Sequence, residues 1–437
     1  MNYDEAVAYL DDHIGRGVVP GLDRIKALLD LMGNPEDAYP IIHVAGTNGK
    51  TSVTRMATLL CVAHGLSTGT FTSPHLERVE ERFAINGRNP DEESFIQAVH
   101  DVKAFADIFE ARMNENLTYF ELTAALAVSW FADQAVDAAV IEVGLGGRLD
   151  ATNAVHGRVA VLTSVGIEHT EYLGDTLEEI AEEKLAIAEE GAVLVTGPLP
   201  QNIERQARRT AARLGINAHV YGSDFSIEGA NPALGGWNLD IQGIHGLYED
   251  IYLPVHGRFQ TVNLAVALAA TEALVGRELD HEAVVDGVAA FSAPGRMEPV
   301  AAKPMVMVDS AHNAPGFEIL AQALFEEFAH TKWVLVLGAM EDKDVVSMIG
   351  SVRDRISRIV TTAVDADRAI PATELAALIA PHVDVEIGAI DDPAEAIEVA
   401  RTLAGEEGAV LVAGSIYLGG TIRAHLAGRS EVHRRER

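Results

Sequence analysis

Two α/β domains, each a mostly parallel sheet covered by helices, are what this sequence predicts, and three observations predict them. A strand-like run, Ile41-Ile42-His43-Val44-Ala45, enters a glycine-rich loop and leaves it in helical periodicity through Val53, Met56, Leu59 and Leu60. Further apolar runs bounded by Gly, Asp or Asn alternate with helical stretches, as parallel strands with crossover helices require. After Ser292-Ala293-Pro294-Gly295-Arg296 the alternation starts again. A chain of 437 residues also exceeds one ordinary core and suits two domains.

Taken in order, helices are expected at Asp4 to Ile14 and Leu22 to Met32, with a turn at Gly33-Asn34-Pro35. Strands of the first domain are expected at Ile41 to Ala45, Ala138 to Val143, Val159 to Val165 and Ala192 to Thr196. The glycine-rich stretch from Asp224 to Val255 alternates in short pieces and reads as β-hairpin-like, closing that domain. The second domain should place strands at Met305 to Val308, Trp333 to Leu337, Ile359 to Thr362, Val383 to Ile387 and Ala409 to Val412. The expected fold is therefore α/β: a P-loop nucleotide-binding domain over residues 1–294, then a smaller Rossmann-like α/β domain over 295–437, hinged at Pro294-Gly295.

Composition excludes several classes. The chain is 48% hydrophobic and 22% charged, which suits a folded protein, not a disordered one. A formal charge of −32 argues against non-specific binding to nucleic acid or an anionic membrane, since phosphate contacts need clustered Lys and Arg. Any phosphate ligand must be held locally. The N-terminus, MNYDEAVAYLDDHIGRG, is acidic where a signal peptide would be basic, and no apolar run nears the ~18 residues that span a bilayer. The expectation is a cytoplasmic monomer. Acid excess with scarce lysine suggests a high-salt cytoplasm, although a GC-rich coding sequence would give the same bias. Cys61, the one cysteine, sits in the apolar helix pattern MATLLCVAHG and is expected to be buried and inert.

Gly46-Thr47-Asn48-Gly49-Lys50-Thr51 has the parts a nucleoside triphosphate requires. Glycines let backbone N–H groups approach phosphate oxygens, the following helix presents its N-terminus, and Lys50 can neutralise the β- and γ-phosphates. Thr51 could add an oxygen for Mg²⁺. The loop is shorter than G-x-x-x-x-G-K-[ST], because position 44 is valine. Magnesium on phosphates needs only one or two protein carboxylates. Glu142 ends an apolar run and would sit at the C-terminal edge of the sheet, where α/β sites form; alone it would be an ordinary strand-end carboxylate. His169 follows another such run, and Ser73 lies in TSPHL. A lone histidine after a strand is more often a hydrogen-bonded core residue, so the force of the three lies in converging on neighbouring strand ends.

Together the segments GLDRI, HVAGTNGK, TSPHLERVEER, LTYFELTA, IEVGLGGRLDATN, TSVGIEHTEYLGDTLEEIAEEK, HGRFQTVNLAVAL, APGRME, DSAHN, GAMEDKD and GSIYLGG resemble the folylpolyglutamate synthase/dihydrofolate synthase family, a branch of the Mur ligase superfamily. The likeness covers almost the whole chain in the family's order, and EVGLGGRLDATN is its most specific part. It implies an ATP-dependent carboxylate–amine ligase that adds L-glutamate to dihydropteroate, to reduced folates, or to both. ATP would phosphorylate a carboxylate, the amine of glutamate would attack the acyl phosphate, and ADP and phosphate would be released.

The resemblance further implies that Ser73, Glu142 and His169 hold magnesium, and that Lys184 in EEKLAIA is carbamylated toward a second metal. By itself Lys184 reads as a helix-surface lysine paired with Glu182 or Glu183. Asn263 and Arg296 match contacts to adenine and to the phosphates. Asp309 and His312 of DSAHN match residues that close over the nucleotide, with His312 grouped beside Lys50 and Lys184 as catalytic. Asp150 matches the pterin site, and Ser415 is placed with the substrate by its strand-end position. Departures from the family are Thr51 for the usual glycine, Leu185-Ala186 for Ala-Gly after the lysine, Glu168 for aspartate, and Ala314 for proline.

Two other readings compete. A Mur-type cell-wall ligase would carry a nucleotide-sugar domain ahead of the phosphate loop, and only 45 residues precede Gly46. A regulatory P-loop NTPase without ligase chemistry would need neither a second domain bearing Arg296, Asp309 and His312 nor turnover dependent on an amino acid.

Overall fold

A computed structural model of the chain describes residues 1–17, 19–364, 366 and 368–429. The expected domain of 295–437 thus ends in residues, 430–437, that lie outside the described ones. Strands β1 (Ile41–Ala45), β2 (Thr68–Phe71), β3 (Phe83–Ile85), β4 (Ala138–Glu142), β5 (Gly157–Leu162), β6 (Val193–Thr196) and β7 (Asn217–Val220) form the first sheet. Its order is β3-β2-β4-β1-β5-β6-β7, parallel throughout except for the edge pair β2–β3. All five residues of β1 and of β4 are buried, as strands covered on both faces must be.

Helices Tyr3–Asp11, Asp23–Met32, Glu92–Met113 and Tyr119–Asp133 cover one face through a core that includes Phe71, Phe83, Phe95 and Phe131. Helices Lys50–Ala63, Phe259–Val275 and His281–Ala289 cover part of the other, with Cys61 fully buried there. The stretch expected to be hairpin-like is a three-stranded antiparallel sheet of β8 (Ser226–Ala233), β9 (Gly236–Gln242) and β10 (Leu247–Leu253). Glu272 ties it to the 259–275 helix, accepting from the Ile244 and His245 N–H groups and from the Tyr248 hydroxyl.

The second sheet contains β11 (Glu298–Ala302), β12 (Met305–Val308), β13 (Trp333–Leu337), β14 (Ile356–Thr361), β15 (Glu386–Ala389) and β16 (Ala409–Ala413). It runs β11-β12-β16-β13-β14-β15, parallel except for the edge pair β11–β12, with apolar cores on both faces. The α/β expectation is borne out.

Several boundaries differ from expectation. The first helix stops at Asp11, and a 3₁₀ turn, Ile14–Arg16, follows before Gly17 at φ 70°. β14 starts earlier and β15 later than expected, because the alternation of polar and apolar residues there does not mark the ends. Four strands were not among those expected: β2, β3, β7 and β11. β2 reads Thr-Gly-Thr-Phe, and its Gly69 exists for close approach, since a Cβ there would lie 2.6 Å from the Phe131 ring.

The two sheets meet along residues 73–82. Arg423 on the last helix pairs with Glu77 at 2.5 Å and with Glu298 at 2.7 Å, and Arg429 reaches the same Glu77 at 2.9 Å. Gly420 lies so close that a side chain there would strike the Leu76 carbonyl.

Candidate active site

The loop after β1 is built to keep its backbone open toward a ligand. Gly46 has φ 151°, and a side chain on it would collide with the Thr163 hydroxyl. Gly49, at φ 88°, caps the Lys50–Ala63 helix in a conformation that disfavours side chains. The segment after β5 braces the loop. Ser164 accepts from Thr47 N–H at 3.0 Å through its carbonyl and from Asn48 N–H at 2.9 Å through its hydroxyl, and Thr163 donates to the Asn48 carbonyl at 2.6 Å. Lys50 Nζ folds back on the Gly46 and Thr47 carbonyls at 2.8 and 3.2 Å. Its charge is thus held at the mouth of an anion-binding helix N-terminus.

Glu142, at the end of β4, is buried, and its two oxygens accept from the Thr51 hydroxyl at 2.9 Å and the Ser73 N–H at 3.3 Å. Burial pushes its carboxyl above the usual range, against the pull of Lys50, the Thr51 hydroxyl, the Ser73 N–H and Arg296. Among the described residues it makes no ion pair. A buried carboxylate bonded by one hydroxyl and one backbone N–H, and lacking an ionic partner among the described residues, offers hard oxygen donors, which fit a magnesium ion that also takes phosphate oxygens. No group of three or more His, Cys, Asp or Glu side chains spaced to hold a metal occurs among the described residues.

Lys184 is not the surface lysine its helix position suggests. It is 2% exposed and pairs with Glu168 at 2.8 Å, while Glu182 and Glu183 turn outward to Arg148. Burial pushes the Lys184 ammonium pKa down, opposed by Glu168. The Glu168 carboxyl is held below its usual range because Lys50 and Lys184 outweigh its burial. His169 is exposed at a left-handed φ of 45°, and its pKa falls through desolvation, with Glu168 opposing and Lys343, Lys184 and Lys50 assisting. Lys50, Thr51, Ser73 and Glu142 are brought together; His169 makes no hydrogen bond to them among the described residues.

Asn263 lies against the loop, its Oδ1 2.6 Å from where a Cβ on Gly49 would be, and its amide donates to Gln260 at 2.8 Å. From the second sheet, Asp309 follows β12 and accepts from Met297 and Ala311 N–H at 2.9 and 2.8 Å. Burial raises its carboxyl pKa, with Arg296 opposing. Arg296 acts electrostatically on Glu142, Asp309 and His312 together, so it stands between the sheets. Burial lowers the His312 pKa to about 4, and its Nδ1 lies 2.9 Å from the Ser310 carbonyl. Ser415 caps the Ile416–Leu426 helix through Tyr417 N–H, and Asp150 has both oxygens engaged by Leu145 and Thr152.

Residues that the sequence reading passed over also shape this site: Thr163 and Ser164, Glu168 as the partner of Lys184, and Glu81, whose carboxylate accepts from the Leu76, Glu77 and Arg78 N–H groups. A signal for the first pair existed, since hydroxyl residues end the strand that neighbours β1. No signal marked Glu81.

A P-loop on one parallel sheet, facing a second sheet across a seam of charged residues, defines an ATP-dependent ligase of the Mur class. The Mur ligase middle domain model matches residues 44–271, and the Mur ligase glutamate ligase domain model matches residues 295–416. A dihydrofolate synthase/folylpolyglutamate synthase of Mycobacterium tuberculosis is 36% identical over 436 residues, covering 92% of this chain and 89% of its own. The structure of M. tuberculosis folylpolyglutamate synthase complexed with ADP and AMPPCP superposes with a TM-score of 0.93 at 34% identity, covering 98% and 100% of the two chains. That of E. coli FolC in complex with DHPP and ADP gives 0.85 at 28% identity, covering 98% of each. The chain belongs to the folylpolyglutamate synthase/dihydrofolate synthase family of Mur ligases.

Proposed function

We propose that this enzyme joins L-glutamate to dihydropteroate and to folates already carrying glutamate, through an acyl phosphate, releasing ADP and phosphate. The observation that supports it most is similarity spanning both sheets, to a relative whose name carries both activities. The competing readings lack such support: a cell-wall ligase or a switch NTPase would not share full-length likeness with folate enzymes.

In this reading residues 1–294 bind ATP and residues 295–437 close over it. Lys50 and the Gly46–Thr51 backbone hold the β- and γ-phosphates, Asn263 borders the adenine, and Arg296, Asp309 and His312 approach from the second sheet. Glu142, Ser73, Thr51 and His169 would hold Mg²⁺. When bound, that ion would neutralise charge on the transferred phosphoryl group. Lys184 and Glu168 flank Lys50, and Asp150 and Ser415 border the acceptor and the amino acid. Catalysis rests on placing the acceptor carboxylate, then the amine, in line with fixed donors. Among the described residues no helix is long and apolar enough to cross a membrane, and a cytoplasmic monomer is the state we propose.

The test is an acceptor screen with dihydropteroate, tetrahydrofolate and its monoglutamate, each with ATP and glutamate, followed by product mass. Gain of one glutamyl residue on dihydropteroate and on folate is expected. ADP release that ignores every acceptor would overturn the reading.

A further inference from the structure

The second domain also grips the first at a place apart from the Glu77–Arg423 seam. Helix Ala314–Glu327 begins directly after His312, with Asn313 as its N-cap, and buries Phe317, Leu320, Ala323 and Leu324 in the second domain's core. Its 14 residues carry it about 21 Å, to Glu327.

A carboxylate at that end is in the wrong place for its own helix, because the C-terminus is the negative pole and no basic residue stands in the last turn. Glu326 faces solvent, but the Glu327 side chain is only 11% exposed. Its oxygens accept from the Gly257 N–H at 2.6 Å and from His256 Nδ1 at 2.8 Å. The His256 ring lies 5.2 Å from that of Phe328, which meets Trp333 edge-on at 5.4 Å. What Glu327 gains therefore lies across the domain boundary.

Residues 256–258 lead into the helix that carries Asn263. Gly257, at φ 90°, turns the chain so tightly that a Cβ there would strike the Phe259 ring. Phe259, the first helical residue, packs against the second domain's core, while Leu264, Ala265 and Leu268 further along lie in the first domain's. Asn263 is one turn beyond Phe259 and lies against Gly49 of the phosphate loop. The entry of this helix is fixed from the second domain and its body from the first, so its first turn sets where the Asn263 amide stands.

Resting on the reading above in which Asn263 borders the adenine, we propose that Glu327 is a positioning residue for ATP. It ties the far end of the helix that starts at His312 to the first turn of the Asn263 helix. Asn263 and His312, which approach the nucleotide from the two domains, thereby keep a fixed separation.

The experiment compares the wild type with Glu327→Gln, Glu327→Ala, Asn263→Ala and the double variant Glu327→Ala/Asn263→Ala. It reads the Kd of ADP and of inorganic tripolyphosphate by calorimetry, together with steady-state KM values. Tripolyphosphate can meet the phosphate loop but has no adenine. Glu327→Ala should weaken ADP binding and raise the ATP KM about three- to tenfold, with the tripolyphosphate Kd and the glutamate KM within about twofold. Glu327→Gln, which keeps an oxygen for the Gly257 N–H, should recover most of the loss. In the double variant ADP should bind no more weakly than in Asn263→Ala, since Glu327 acts through that residue. A lower thermal midpoint with unchanged ADP affinity would mark a merely structural contact and overturn the proposal, as would equal losses for ADP and tripolyphosphate or additive losses in the double variant. If Glu327→Ala does not fold, His256→Ala, which removes one of the two bonds, decides: an unaltered ADP Kd overturns it. Asn263→Ala with wild-type ADP affinity would instead remove the adenine reading on which the proposal stands.

Discussion

At the C-terminal ends of β1, β4 and β5 the first sheet presents unfinished chemistry: a curled-back Lys50, a buried Glu142 with no ionic partner among the described residues, and Lys184 and Glu168 paired beside them. In the second sheet the corresponding ends are finished. Asp309 has its oxygens on two backbone N–H groups, and Ser415 caps its own helix. In the proposed reading the strand ends of the first sheet carry the phosphate and metal chemistry, and those of the second position the groups that approach it. The second sheet contributes by holding Arg296 and His312 in position, with the Glu77–Arg423 seam fixing its distance.

Substitutions can break that contrast, starting where it is sharpest. Lys50→Ala should lower glutamate-dependent ADP release by a hundredfold or more, roughly the cost of one preorganised charge donor, with thermal stability little changed. Glu142→Ala should lower kcat and move the Mg²⁺ dependence to much higher concentration; an unchanged Mg²⁺ titration would detach Glu142 from the metal. In the second sheet, Asp309→Ala should act through structure: two buried N–H groups lose their acceptor, costing roughly 2–3 kcal/mol in denaturant titration, with a rise in ATP KM as Arg296 shifts. If Asp309→Ala kept full stability and lost only turnover, the contrast between the sheets would fail.

Two smaller effects sharpen it. His43, fully buried on β1 with Nε2 2.9 Å from the Thr152 hydroxyl, has its pKa lowered by burial to about 3. Above pH 6.5 it is neutral in both states. Between about 6.5 and 3 the unfolded chain binds the proton and the folded chain does not, so stability falls as pH falls, by on the order of 1 kcal/mol per pH unit for this group. His43→Gln should flatten that acid limb in urea titrations at successive pH values. Ser415→Ala should cost about 1 kcal/mol of stability as a lost N-cap and, since Ser415 is proposed to border the amino acid, raise the glutamate KM severalfold. An unchanged glutamate KM would remove Ser415 from the substrate site.

What was legible in the sequence was local. The loop Gly46–Thr51 could be read because strand, turn and helix N-terminus are consecutive, and Glu142 because an apolar run stops at it. Lys184 alone looked like a surface residue, since the partner that buries it, Glu168, lies on another segment, and its neighbours Glu182 and Glu183 were the obvious decoys. β2 escaped notice because a strand beneath a phenylalanine ring needs Gly69 instead of an aliphatic residue.

The central claim is that the acceptor carboxylate itself attacks ATP. It is tested most directly by supplying acceptor labelled with ¹⁸O in that carboxylate and measuring the released phosphate by mass. One ¹⁸O per phosphate is expected, because the oxygen that bonds phosphorus leaves with it when the glutamate amine displaces the acyl phosphate. Unlabelled phosphate, formed at the same rate with or without glutamate, would mean that water attacks ATP and that the chain is not a ligase.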